Sequence, residues 1–288
     1  MNFRWIKKKA AALLRLLVLA VPAVLMLAPV VFVWSGSVMS RQELGVFLGP
    51  ALDGKDGYIS WRLIPDYPTP EHYKKLLLLT PQFFVVFWNS VKMTGSILAG
   101  QLLVAVPSAW AFAVYRFKGS RILFRIYIVL MLMPFQVTML SQYLVLDRLN
   151  MMDTHLAIIV PAVFSTFPVF LCYRGFAAIP RELLDAGRID GAGELMLFFK
   201  IGLPLSSGSV LAAMVLGFLE YWNLIEQPLA FLKDKTLWPL SLYLPQIGPE
   251  KAGEAFAVSV ITLIPAVFAF LLGKDYLEQG IVASGLKA

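Results

Sequence analysis

Leu183–Leu205 reads LLDAGRIDGAGELMLFFKIGLPL, and the chain on either side of it is apolar enough to live in lipid. The stretch carries Asp185, Arg188, Asp190, Glu194 and Lys200, with Gly187, Gly191 and Gly193 among them. Pro180 suits the first turn of a helix. On that helix Arg181 and Asp185 are spaced i,i+4 and Asp185 and Arg188 i,i+3, so the charges can pair along one side. Leu184, Gly187 and Gly191 share another side, which is nearly flat and lets a second backbone or a groove wall approach closely. Asp190-Gly191 reads as a turn. The chemistry on offer is ion pairing and close docking, with no bond made or broken. A solvated connector would account for the balanced charges, four basic and four acidic over Arg174–Lys200, but not for the flat side.

Other reactive constellations are missing. The chain has two histidines, His72 and His155, and one cysteine, Cys172, so no intrachain disulfide is possible and no protein metal site is expected. Both histidines fall at membrane edges and read as solvated polar residues. No phosphate-binding G-x-x-x-x-G-K-[ST] loop appears; the nearest string, GSILAGQ at 95–101, lacks the lysine. No Ser-His-Asp arrangement appears either, so the chain is not expected to be an enzyme. Hydrogen-bonding groups do gather at span ends. Asn89 lies at the outer end of the second apolar block, and Glu220, Trp222 and Asn223 lie at the outer end of the fifth. Two readings stay open for these four, a solute path or an ordinary interfacial helix end. Met131, Met133 and Met139 read as packing.

The elements that hold these residues follow from the apolar pattern. Hydrophobic residues make up 59% of the chain and the mean hydropathy is +0.73. Leu16–Ser40, Met93–Tyr115, Ile126–Leu146, Leu156–Tyr173, Ile201–Leu219 and Ala255–Gly273 contain no charged residue. Each approaches the roughly 20 residues that span a hydrocarbon core, where only helices satisfy their own backbone. The fold expected is therefore an all-α membrane protein of six transmembrane helices. Residues 1–82 form an anchor span and an outer segment, and 83–288 form the transmembrane core. Around 41–75, glycine and proline predict turns and extended chain, with a short surface helix opening at Pro70–Tyr73. The segments 1–15, 116–125, 174–200 and 274–288 hold 15 Lys+Arg against 6 Asp+Glu, a net +9, and the rest of the chain nets −2. Basic loops stay inside, so both termini are expected in the cytoplasm. The basic residues are scattered over short loops, which does not suggest nucleic-acid binding.

The spacing also carries a family resemblance. Asp185-Ala186-Gly187, then Gly191, then Ile201-x-Leu203-Pro204 keeps the spacing of E-A-A, three residues, G, nine residues, I-x-L-P. This resembles the cytoplasmic signature loop of ABC importer permeases, with aspartate for the first acid and glycine for the second alanine. PRELLDAGRIDGA, FWNS at 87–90, AFAVYRFKGSR, MPFQVTMLSQYLVLDRLNMMDTHLAIIV, EYWN at 220–223, IPDYPTPEHYKKLL and the tail QGIVASGLKA are similar to elements of the carbohydrate-type branch, over about residues 64–288. The resemblance implies a coupling helix between spans four and five, seated in a groove of a cytoplasmic ATPase. Glu182, Leu184, Asp185, Ala186, Gly187, Asp190, Gly191, Ile201, Leu203 and Pro204 would form that coupling loop. It further implies an ABC ATPase dimer, a second and different permease subunit, an external or periplasmic solute-binding protein, a sugar or oligosaccharide solute, and a prokaryotic cell membrane. ATP and Mg would sit on the ATPase, and this chain would bind no cofactor. Asn89, Glu220, Trp222 and Asn223 would then line the solute path, since amides, carboxylates and aromatic faces suit sugar hydroxyls. A permease for another solute remains open. An ion-coupled secondary transporter fits less well, because the charges lie at span ends rather than at midplane.

Overall fold

The computed structural model describes residues 3–52, 58, 60–243 and 251–285, and among the described residues there is no strand. The helices in chain order are α1 (Phe3–Ser37), α2 (Arg41–Leu52), α3 (Glu71–Leu79), α4 (Pro81–Val114), α5 (Ser120–Met131), α6 (Phe135–Arg148), α7 (Leu156–Val163) and α8 (Thr166–Ala177). They continue with α9 (Arg181–Ile189), α10 (Glu194–Leu197), α11 (Leu203–Leu205), α12 (Ser207–Trp222), α13 (Glu226–Phe231), α14 (Leu240–Tyr243) and α15 (Ala252–Gly285). The tail residues 286–288 lie outside the described residues.

Among the described residues, four segments are long and apolar enough to cross a membrane: Arg15–Ser37, Pro81–Val114, Leu156–Ala177 and Ala252–Leu277. The count rises to six if two bent pairs each make one span. These pairs correct the expectation of unbroken helices in the third and fifth blocks. In the third, α5 and α6 meet at 106°. Pro134 is the cause: it supplies no N–H, and it pushes the residue before it out of the helical region. The N–H groups of Leu132 and Met133 are satisfied by three-residue turns onto Val129 and Leu130. In the fifth, the run from Glu194 to Leu205 meets α12 at 73°. Pro204 cannot donate to the carbonyl of Lys200, and the chain relaxes into a π turn over Phe198–Gly202 just before it.

The described residues cluster into two compact units. One draws on Met1–Pro81 and Leu244–Leu263, the other on Gln82–Tyr243 and Ile264–Ala288. In the first unit Met39, Leu44 and Leu48 are buried against Phe32, Trp61 and Phe256. The α2 helix falls where turns and extended chain were expected. Its start is a capping box: Ser40 and Glu43 exchange bonds, Ser40 N to Glu43 Oε2 at 3.0 Å and Glu43 N to Ser40 Oγ at 3.3 Å. The other Glu43 oxygen accepts the N–H groups of Asp66 at 2.7 Å and Tyr67 at 3.3 Å, so one carboxylate fixes both the helix and the loop. The α3 helix forms where the surface helix was expected. His72 is buried rather than solvated, with Nε2 2.9 Å from the Met39 carbonyl.

The second unit has two apolar clusters. One joins Trp110, Phe176, Leu184, Leu197 and Phe198; the other joins Met93, Ile97, Leu146, Tyr221 and Phe231. Neither Asp153 nor Thr154 caps α7. Asp153 adopts a positive φ of 56° and accepts the N–H groups of Lys233 and Asp234, while Thr154 donates to the Met151 carbonyl. His155 lies 3.1 Å from the Leu237 carbonyl and helps hold the same loop.

Burial raises the affinity of the Glu43 carboxyl for its proton, but the N–H groups of Ser40, Asp66 and Tyr67 and the Ser40 hydroxyl outweigh it, and the pKa lies below the ordinary value. A carboxyl depressed in the fold stabilises it above the unfolded pKa and loses that contribution as pH falls through the folded one. Limited proteolysis of the first unit should therefore accelerate in acid below pH about 4.5 in the wild type. Glu43→Gln should show faster cleavage already at neutral pH and little further pH dependence.

Candidate functional site

Helix α9 begins after Pro180, whose ψ of 133° is extended, and ends in a left-handed stop. Gly191 has φ +83°. Its N–H bonds the Arg188 carbonyl at 3.1 Å, and the Ala192 N–H bonds the Gly187 carbonyl at 2.9 Å, the two bonds of a Schellman motif. A Cβ at Gly191 would meet nothing within 4 Å, so the glycine serves the backbone and not a close approach.

The flat side expected to face a partner is turned inward. Leu184 is 4% exposed and packs with Phe176, Ile179 and Leu197. A Cβ on Gly187 would lie 2.6 Å from Leu197 Cδ2 and 3.2 Å from Ile201 Cδ1. The physical reason is the left-handed turn at Gly191, which sends the chain back so that α10 packs against α9. The apolar face of α9 finds its cover within the chain; the opposite face carries Ile189, exposed by 86%, and Leu183, exposed by 46%, stands on the flank beside Gly187. Glu182, Asp185, Ala186 and Asp190 are exposed as well. Ile201 and Leu203 are half-buried and Pro204 is exposed.

An ionic strap holds α9 in place. Arg188 donates from Nη1 to Asp185 Oδ1 and from Nε to Glu194 Oε1, both at 2.9 Å. Glu194 Oε2 accepts the Tyr115 hydroxyl at 3.0 Å, which links the strap to the chain just after α4. The hydrogen bond that Arg188 donates to Glu194 raises the pKa of Arg188; slight burial opposes this, and the bond to Asp185 and both carboxylate charges reinforce it. Beside α9 lies a cavity of about 340 Å³ with Tyr173, Arg181, Asp185 and Arg188 in its wall.

The four residues expected on a solute path divide. Glu220 lines a cavity of about 370 Å³ together with Gln142, Thr138, Ser165, Tyr221 and Gln227. Asn89, Trp222 and Asn223 are not in that wall. Asn89 is 5% exposed, and its amide is committed to the carbonyls of Thr236 at 2.7 Å and Trp238 at 3.2 Å. Trp222 is 2% exposed, stacked on Phe218 at 5.5 Å and edge-on to Phe87 at 6.0 Å. Asn223 donates to the Leu219 carbonyl at the end of α12. Met131 and Met133, read as packing, also line the cavity. The sequence reading missed Gln142, Tyr221 and Gln227. The signal that points to them is the proline at 134 and the break at Phe164–Ser165, since irregular backbone at membrane depth is tolerated where it lines a cavity.

Residues 101–282, which hold α9, its strap and the cavity wall, match the family described as binding-protein-dependent transport system inner membrane component. The chain belongs to this family. It is thus a permease subunit of a binding-protein-dependent transport system, and its relatives agree. It is similar to the arabinooligosaccharides transport system permease protein AraQ of Halalkalibacterium halodurans, at 32% identity over 71% of this chain and 75% of that one. It is also similar to the sn-glycerol-3-phosphate transport system permease protein UgpE of Yersinia enterocolitica, at 30% identity over 70% of this chain and 74% of that one. A chain of a bacterial ABC transporter involved in the import of the acidic polysaccharide alginate shares the fold, with a TM-score of 0.79 over 94% of this chain and 97% of that one at 19% identity.

The two glycines of α9 should respond differently to substitution. Gly187→Val forces a side chain into Leu197 and should cost about 1–3 kcal/mol. Gly191→Ala meets no neighbour and should cost about 1–2 kcal/mol through backbone strain alone, with Gly191→Asn milder. Thermal unfolding of the detergent-solubilised protein reads all three; equal effects for Gly191→Ala and Gly191→Asn would contradict the left-handed stop.

Proposed function

We propose that this chain is one of two different permease subunits of an ATP-driven importer for a sugar or oligosaccharide, with α9 as the coupling helix that docks on a cytoplasmic ABC ATPase. The observation that carries the docking role is the outward face of α9, where Ile189 stands exposed on a helix anchored from behind. An exposed isoleucine beside Glu182, Asp185 and Asp190 suits a groove with an apolar floor and basic rim. Asp185 keeps a side chain 65% exposed while bonded to Arg188, so it can accept a second cation from the partner.

In this reading an external binding protein delivers the solute and ATP closes the ATPase dimer, drawing the two coupling helices together. The strap from Asp185 through Arg188 to Glu194, with Leu184 seated on Leu197, makes α9 move as a body with the segment that leads into α12. The Tyr115 contact passes the same movement to α4. ATP and Mg belong to the ATPase, and the work of this chain is a cavity, its gates and the docking helix. Both termini lie in the cytoplasm of a prokaryotic cell. Sugar as solute is supported by the arabinooligosaccharide relative. A phosphorylated polyol is the second reading, supported by the sn-glycerol-3-phosphate relative.

Reconstitution tests the proposal. Proteoliposomes holding the chain with its companion permease and ATPase should take up labelled arabinotriose only with internal ATP and external binding protein. Uptake driven by an ion gradient alone would contradict it.

A further inference from the structure

The cavity around Glu220 has a polarity that bears on which sugars pass. We propose that it is a charge-selective station, which admits uncharged or amine-bearing polyhydroxyl solutes and turns away acidic ones; the proposal rests on the carbohydrate-permease reading above.

Three observations converge on it. First, Glu220 sits on α12 within a membrane-spanning pair, its side chain exposed and in the cavity wall. Among the described residues its carboxyl has no hydrogen-bond or salt-bridge partner. Ionisable groups on spans face water-filled cavities and mark solute paths. Second, the wall contains no Lys, Arg or His among its lining residues. A uronate or phosphate ester entering it would find a like charge and no counter-charge. Third, the donors in the wall are neutral and some are taken. Gln142 donates to Thr138 Oγ1 at 3.1 Å, and Thr138 donates to the Phe135 carbonyl at 3.1 Å. Gln142 and Glu220 present acceptor oxygens, which match the O–H and N–H donors of a sugar or amino sugar. A phosphate or carboxylate brings only more acceptors. Met131, Met133, Phe135 and Phe231 complete the wall with apolar surface for the C–H face of a sugar ring.

Charged thiol reagents read the field in the cavity independently of which sugar the binding protein prefers. The assembled transporter in nanodiscs, carrying Gln142→Cys, is exposed to a cationic trimethylammonium and an anionic sulfonate methanethiosulfonate. Native Cys172 is 0% exposed, and the unsubstituted transporter serves as the blank. The cationic reagent should react about tenfold faster than the anionic one, beyond their ratio on a free thiol, and Glu220→Gln should bring the ratio close to that of the free thiol. Gln227→Cys, on α13, gives the same readout if the first variant fails to assemble. Arabinotriose and chitosan trimer should protect the cysteine, and trigalacturonate and sn-glycerol 3-phosphate should not. A ratio unchanged by Glu220→Gln, or protection by the acidic solutes as strong as by arabinotriose, would overturn the charge selection. A tenfold ratio with no protection by any sugar would leave the charge selection standing and overturn the carbohydrate reading beneath it.

Discussion

Leu184 and Gly187 seat on Leu197 and Ile201, and the placement of the whole segment 181–205 depends on that contact. Burying one leucine side chain contributes about 1.5–3 kcal/mol, enough to hold a nine-residue helix that could not persist alone in water. The contact exists because Gly191 stops α9 in a left-handed turn and sends the next segment back along it. With its apolar side thus covered from within, α9 has a rigid back, and the residues left facing outward can be pressed on without the helix rolling. Seated on Leu197 and tied to Glu194, the helix is held against rolling.

The same logic of irregular backbone appears on the other side of the second unit. Pro134 and the Phe164–Ser165 break interrupt helices that would otherwise run straight through lipid. Exposed backbone is costly in hydrocarbon, so such breaks persist where they border a cavity or are packed by protein. Here they border the cavity that Glu220 lines. The α9 segment and the cavity are joined through α12: its first turn follows the break after Leu205, and its last turn carries Glu220.

Much of this was legible in the sequence, and the rest was hidden for identifiable reasons. Long uncharged blocks announce membrane helices because lipid leaves the backbone no other choice. The spacing from Asp185 through Gly191 to Pro204 marks the loop, and the i,i+3 pair of Asp185 and Arg188 forms as the helix period requires. What the pattern could not reveal is which side of α9 would be covered. Leu184 and Gly187 look like an open docking face until the turn after α9 lays Leu197 and Ile201 onto them, and tertiary cover of this kind leaves no local trace. Asn89 and Trp222 were ambiguous for the same reason: a polar or aromatic residue at a span end has the same sequence signature whether it meets solute or a neighbouring carbonyl. The Ser40–Glu43 box was readable, and the glycines beside it at 45 and 49 obscured it.

The central claim is that α9 docks on an ATPase through the face that carries Ile189 and not through the face that carries Leu184. Site-specific cross-linking in the assembled transporter measures this most directly, with a photoreactive residue at Ile189, at Leu183 or at Leu184. Adducts to the ATPase are expected from position 189, fewer from 183 on the flank, and only intrachain adducts from 184. Adducts to the ATPase from 184, with none from 189, would contradict it.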